Sequence, residues 1–191
     1  MDKFQSKYRI PSARMQNCDY SWNAPYFITI CTEHRVFYFG KIINGEMHLS
    51  DIGEMANKFF IEIPDHFPNV YLNAFVVMPN HVHGIIIIDK PYYGIHNEFI
   101  TANAPGNDSA SPTINQQTMT RVENKWKSGT FGVIINQYKR ICTINARKNN
   151  PGFGWHTRFH DHVIQDNESY IRIRNYIVDN PKNWNNDKFY K

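Results

Sequence analysis

The sequence predicts an α+β fold, an antiparallel sheet with helices packed on one face, and three observations carry that expectation. Runs rich in aromatic and β-branched residues, YFITICT, YLNAFVVM and VHGIIIID, read as strands. The last two are separated by a Pro79-Asn80 step, which makes them adjacent and antiparallel. Segments starting near Ser50 and Phe131 instead repeat apolar residues at spacings of three and four, the period of an amphipathic helix. One sheet and one layer of helices is the architecture that buries both apolar surfaces.

Taken in order, the chain opens with an arm over residues 1–23, followed by the strand Tyr26 to Thr32. VFYFGKIINGEMHLS carries Asn44-Gly45 at its centre, the pair that a tight hairpin turn requires. From Ser50, residues Ile52, Met55, Ala56, Phe59, Phe60 and Ile63 form a helical stripe that Pro64 bounds. After the two paired strands, residues 92–117 are rich in Asn, Ala, Pro, Ser, Thr and Gly and hold no Lys or Arg, which reads as a flexible insertion. A second helix is expected through Phe131, Ile134, Ile135, Tyr138, Ile141 and Cys142. FHDHVIQD suggests a short edge strand, and Asp166 or Asn167 can cap a last helix that ends near Asn180, because Pro181 disfavours helical geometry before it.

With 191 residues and 41% hydrophobic content, the chain suits a single domain, 1–191, with one core. The N-terminal stretch has no signal-peptide apolar segment and no run approaches the ~18–20 apolar residues that span a bilayer, so a soluble, cytoplasmic protein with no membrane partner is expected. Cys18, Cys31 and Cys142 are odd in number and widely spaced, which argues against a disulfide framework or a CxxC zinc site. The net charge of +4 is unevenly placed: from Arg121 onward there are 13 Lys/Arg against 6 Asp/Glu. A basic C-terminal part suits an anionic partner such as a phosphate backbone, although solvated helix faces would look the same.

The strongest chemical signal is VVMPNHVHGIIII. In a strand, His81 and His83 point to one side and Val82 to the other, so two imidazoles can hold one divalent metal. The plainer alternative is a pair of structural histidines. His160-Asp161-His162 repeats the spacing, but Asp161 would face away from both imidazoles, which favours a structural or DNA-contacting role there.

A His-hydrophobic-His pair after MPN, preceded by FVV and followed by an apolar strand, resembles the HUH motif of single-tyrosine transposases, and more narrowly the chain resembles the REP-associated tyrosine transposases. The likeness extends over YFITICTEHRVFYFG and WHTRFHDHVIQDNESYIRIRNYIVDNPKNW, leaving out only the insertion. It implies a ferredoxin/RRM-like HUH endonuclease fold whose C-terminal helix carries the nucleophile, here Tyr176 in the pattern YIxxNP. It also implies a divalent ion, Mg²⁺ or Mn²⁺, and single-stranded or hairpin DNA as partner in a bacterial, nucleoid-associated setting, with a homodimer as one possible assembly.

On a helix, Arg172, Tyr176 and Asn180 would share one face, with Tyr170, Ile173 and Ile177 as the buried stripe. The insertion-sequence branch of the family has a glutamine ligand four residues after its tyrosine, where this chain has Asn180, so a third metal ligand and a helix stop are both open roles for it. Arg172, Arg174, Lys7, Arg9 and Arg14 are the candidates for DNA contacts. Tyr138 and Tyr170 are rival tyrosines, but four residues on they meet Cys142 and Arg174 rather than an oxygen ligand. Two other functions stand beside strand transfer: a histidine-dependent nucleotide hydrolase, which lacks a third histidine because the next alternate position is Ile85, and a DNA-binding protein that no longer cuts.

Overall fold

The computed structural model describes residues 23–90 and 130–190, together with the backbone of two short paired strands, β1 (Lys3–Phe4) and β2 (Lys7–Tyr8). The insertion at 92–117, Arg9 and Arg14 lie outside the described residues. The centre is a four-stranded antiparallel sheet in the order β6-β7-β3-β8, built from β3 (Ala24–Cys31), β6 (Val70–Met78), β7 (His81–Ile88) and β8 (His160–Val163). Between β3 and β6 run the hairpin β4 (Gly40–Ile43) and β5 (Glu46–Leu49), the helix α1 (Asp51–Ile61) and the single turn α2 (Ile63–His66). The chain then forms α3 (Phe131–Asn149) before β8 and α4 (Asn167–Asp179) after it.

Local chemistry accounts for the boundaries. Asn44 (φ 52°) and Gly45 (φ 78°) both take left-handed backbone, as the mirror-image turn of a two-residue hairpin demands. Ser50 caps α1, its hydroxyl accepting from the Gly53 N–H at 3.1 Å, and Asp166 caps α4, its carboxylate accepting from Ser169 N–H at 2.7 Å. That capped carboxyl is held below its usual range by the Ser169 bonds.

The period of two sorts side chains to opposite faces of the sheet. Tyr26, Ile28, Ile30, Val82, Ile86 and Ile88 form one core with α1 and α3, where Tyr26 stacks on Phe131 at 4.5 Å. Gly84 belongs to this face because the Phe60 ring occupies its side-chain space: a Cβ there would lie 2.6 Å from Phe60 Cζ. Tyr138 is buried in the same core and donates to the Ala56 carbonyl at 3.1 Å, a packing role. The α+β class is as the sequence predicts, and α1 and α3 share one face as expected. The last helix, α4, takes the other face, where Ile177 packs with Ile85 and Ile164, flanked by half-buried Tyr170 and Ile173. Among the described residues no helix is long and apolar enough to cross a membrane.

Candidate functional site

The face that carries α4 is also the face onto which the two histidines project. Register pairs His83 with Thr29 and His81 with Cys31 across β3, so all four side chains share that side while Val82 enters the opposite core. Both imidazoles are almost wholly buried, at 0% and 1% exposure. Their rings stand 4.4 Å apart.

A hydrogen bond from His81 fixes its tautomer. The Asn80 amide donates to the Phe189 carbonyl at 2.8 Å, which leaves its oxygen to accept from His81 Nδ1, also at 2.8 Å. His81 Nε2 is therefore a bare lone pair, and it is buried with no hydrogen-bond partner. His83 Nδ1 lies 2.9 Å from Thr29 Oγ1, and its Nε2 lies 3.2 Å from the Tyr176 hydroxyl, so Nε2 faces the site. Burial holds both imidazoles neutral: His81 well below the usual histidine range, with His83 beside it adding to the effect, and His83 down to about 3.

Helix α4 brings in the tyrosine. Its apolar stripe docks on the sheet, which sets Tyr176 one side round from buried Ile177 and aims its ring edge at Phe27, 6.3 Å away. Asn180, one turn on, is 2% exposed and remains in right-handed helical geometry (φ −57°, ψ −42°). It is the C-cap residue of α4; its amide nitrogen donates to Asp187 Oδ2 at 3.1 Å, and its oxygen is buried without a hydrogen-bond partner among the described residues. Asp187 arrives from the segment after α4; its Oδ2 lies 3.5 Å from the Tyr176 hydroxyl and its Oδ1 accepts from Phe189 N–H at 2.7 Å. Burial, and then the Asp187 charge, push the Tyr176 phenol up to about 12.

One ligand atom from each of His81, His83 and Asp187 falls within 4.8 Å of the others. His81, His83 and Asp187 form a donor set that could hold a divalent cation, and the Asn80 and Thr29 contacts are of the kind that steady such imidazoles. A cleft of about 380 Å³ opens here, lined by Phe27, Thr29, His83, His160, Tyr176 and Asp187 among others.

Of the residues singled out from sequence, His81, His83, Tyr176 and Asn180 thus converge. Arg172 and Arg174 stay on the exposed surface of α4, where Arg172 bonds to Ser169 Oγ at 3.3 Å. Lys7 lies in β2. Register places Asp161 on the face opposite His160 and His162, as the alternation predicts, and His160 lines the cleft. Sequence reasoning missed Asp187, an acid without periodic context in NWNNDKFYK, and treated Asn80 only as a turn residue.

An uncharacterized protein of Haemophilus influenzae is 36% identical to this chain over 180 residues, covering 94% of the chain and 92% of that protein. The chain belongs to that protein's family. No family model matches the sequence. Among solved structures, the fold is similar to that of a REP-associated tyrosine transposase bound to a REP hairpin, with a TM-score of 0.52 and 18% identity, over 88% of this chain and 73% of that one. A second structure, of a putative transposase from Deinococcus radiodurans, matches at a TM-score of 0.44 and 12% identity over 86% of this chain and 95% of that one, too remote to argue from.

Proposed function

We propose that the chain is a single-tyrosine HUH endonuclease of the transposase type, which cuts and rejoins single-stranded hairpin or repeat DNA through a 5′-phosphotyrosine link. The observation that carries this reading is the placement of the Tyr176 hydroxyl 3.2 Å from His83 Nε2, beside a His81–His83–Asp187 cluster with one potential ligand atom of each within 4.8 Å of the others. A tyrosine on a helix, next to a buried paired-histidine donor set and a cleft, is an arrangement that packing alone does not require.

In this reaction the Tyr176 oxygen forms a bond to a backbone phosphorus while the bond from phosphorus to the 3′ oxygen breaks. Asp187 Oδ2 lies 3.5 Å from the phenol; the Tyr176 proton leaves to solvent, and the departing 3′ oxygen gains one from solvent. The phosphodiester energy stays in the phosphotyrosine, so a new 3′-hydroxyl can reverse the step and join strands without a nucleotide cofactor. His81, His83 and Asp187, with the Asn180 amide oxygen, are the residues that would hold Mg²⁺ or Mn²⁺. When bound, the ion supplies Lewis-acid stabilisation of charge on the non-bridging phosphate oxygens. Asn80 keeps His81 in the tautomer this requires, and Thr29 steadies the His83 ring.

The test is to incubate wild type and Tyr176→Phe with labelled single-stranded hairpin DNA, with Mn²⁺ or Mg²⁺ and with chelator. A metal-dependent covalent adduct is expected in wild type and absent from Tyr176→Phe. One observation favours the non-cutting DNA-binding reading, the phenol held at about 12. DNA binding without an adduct under any metal would establish that reading instead. The histidine-dependent hydrolase lacks support, because the third alternate position, Ile85, is buried against Ile177.

A further inference from the structure

A second cleft, of about 560 Å³, adjoins the one that holds Tyr176, and Thr29, His160 and Lys188 line both. Its rim carries Arg35, Arg158 and Lys188 with the imidazoles of His156 and His160, and Phe159 and Phe189 contribute apolar wall. Among the described residues none of these three cations is in an ion pair. Acidic groups nearby are Asp187, in the neighbouring cleft, and Glu33, whose carboxylate abuts Gly154.

Two of the three cations, Arg35 and Lys188, are held against an aromatic ring. Arg35 lies 4.3 Å over the Phe189 ring and Lys188 4.9 Å from the same ring. His34 and Arg35 take consecutive left-handed backbone (φ 51° and 57°), a costly conformation for residues with side chains, and it is this turn that sets Arg35 on the rim. The volume is in the range of small-ligand pockets.

Resting on the nuclease reading above, we infer that this second cleft holds the unpaired nucleotide next to the scissile phosphate. Arg35, Arg158 and Lys188 take its flanking phosphates, and the base enters the recess they surround. Cations alone would suit any polyanion. Cations around an apolar recess that opens into the nucleophile's cleft suit a single strand, whose bases are free to leave the stack. The partner is single-stranded DNA rather than duplex.

The experiment measures binding, not cutting, in the full chain carrying Tyr176→Phe. A short fluorescein-labelled oligothymidylate is titrated by anisotropy across salt concentrations, with Arg35→Ala/Arg158→Ala compared to Lys58→Ala/Lys148→Ala, an exposed pair of equal charge on the helices of the opposite face. The first pair is expected to weaken binding at least tenfold and to lower the salt slope by about 1.4, or ~0.7 for each phosphate left without its cation. The second pair should leave binding unchanged. An oligonucleotide bearing 4-thiothymidine should crosslink on irradiation to the peptide containing residues 156–160. Equal losses in the two double variants, no binding by the parent chain, or crosslinks elsewhere would overturn the inference. So would an equal loss for duplex DNA, which would make the face a general phosphate surface. Binding lost in Arg35→Ala/Arg158→Ala while no adduct ever forms in wild type would sink the nuclease reading and overturn the placement beside a scissile phosphate, leaving the cleft as a single-strand binding site.

Discussion

Acid should destabilise the metal-free protein through its buried histidines, and the size of the effect follows from their burial. His83 has its proton affinity reduced from the usual 6.5 to about 3, chiefly by desolvation. Between those values the unfolded chain binds a proton that the folded chain refuses, so stability rises with pH across this window. The contribution is fully present above about pH 6.5 and is lost as pH falls toward 3, at about 1.4 kcal/mol per pH unit. At about pH 4.5 the loss from His83 alone is about 3 kcal/mol, a large share of a domain's net stability. His81, also displaced downward by burial and by its neighbour, adds in the same direction. Urea unfolding with chelator present, at several pH values from neutral down to 4.5, reads this directly. Comparison with His83→Gln, which removes one titrating ring, should show roughly half the acid sensitivity. If the two proteins lose stability in parallel, His83 is not a buried neutral imidazole in solution, and the orientation of its Nε2 toward Tyr176 fails with it.

Four further outcomes are expected. Mn²⁺ should raise the melting temperature of wild type, by an amount equivalent to about 2.7 kcal/mol at a hundredfold excess over the dissociation constant; Asp187→Ala and His81→Ala should each abolish most of that increment, and an unchanged increment in both would remove the cluster from consideration. Gly84→Ala should cost about 1–3 kcal/mol by forcing its methyl against Phe60 Cζ, 2.6 Å away, and a melting curve like wild type would show that the ring moves aside freely. Ser50→Ala should lose ~1 kcal/mol in urea unfolding with no change in DNA binding, since the hydroxyl caps α1 far from the cleft. Tyr138→Phe should lose about 1 kcal/mol with its bond to Ala56 and still form adduct, whereas loss of adduct there would reopen the choice of nucleophile.

Much of the fold was legible because periodicity is enforced by burial. The alternation in YFITICT and VHGIIIID survives in the structure as two faces, one against α1 and α3 and one against α4. The Asn44-Gly45 turn and the Asp166 cap are local chemistry and appear where the sequence puts them. What the pattern did not convey is which face of the sheet each helix covers. The apolar stripe of α4 has the same period as that of α1, and its placement depends on Ile85 and Ile87 being as apolar as Val82 and Ile86 across the strand. A strand apolar on both sides asks for cover on both sides. The site was legible in the same measure: His81, His83 and Tyr176 stand in regular elements, whereas Asp187 comes from a segment after Pro181 with no period to read.

Asp187 also gives the site its internal logic. With both histidines neutral, the carboxylate is the one formal charge in the cluster, and it raises the pKa of the phenol it touches, the wrong direction for a nucleophile. The same negative charge is what a divalent cation would meet among those lone pairs, and its arrival would reverse the sign of the local field at Tyr176. On the proposed nuclease reading, Tyr176 would thereby stay protonated until the donor set is filled. Asp187→Asn separates the two effects: it should weaken Mn²⁺ binding measured by electron paramagnetic resonance while easing ionisation of Tyr176. If Mn²⁺ binds the Asn variant as tightly as wild type, the carboxylate is only a structural acceptor for Asn180 and Phe189, and the coupling between charge and nucleophile falls.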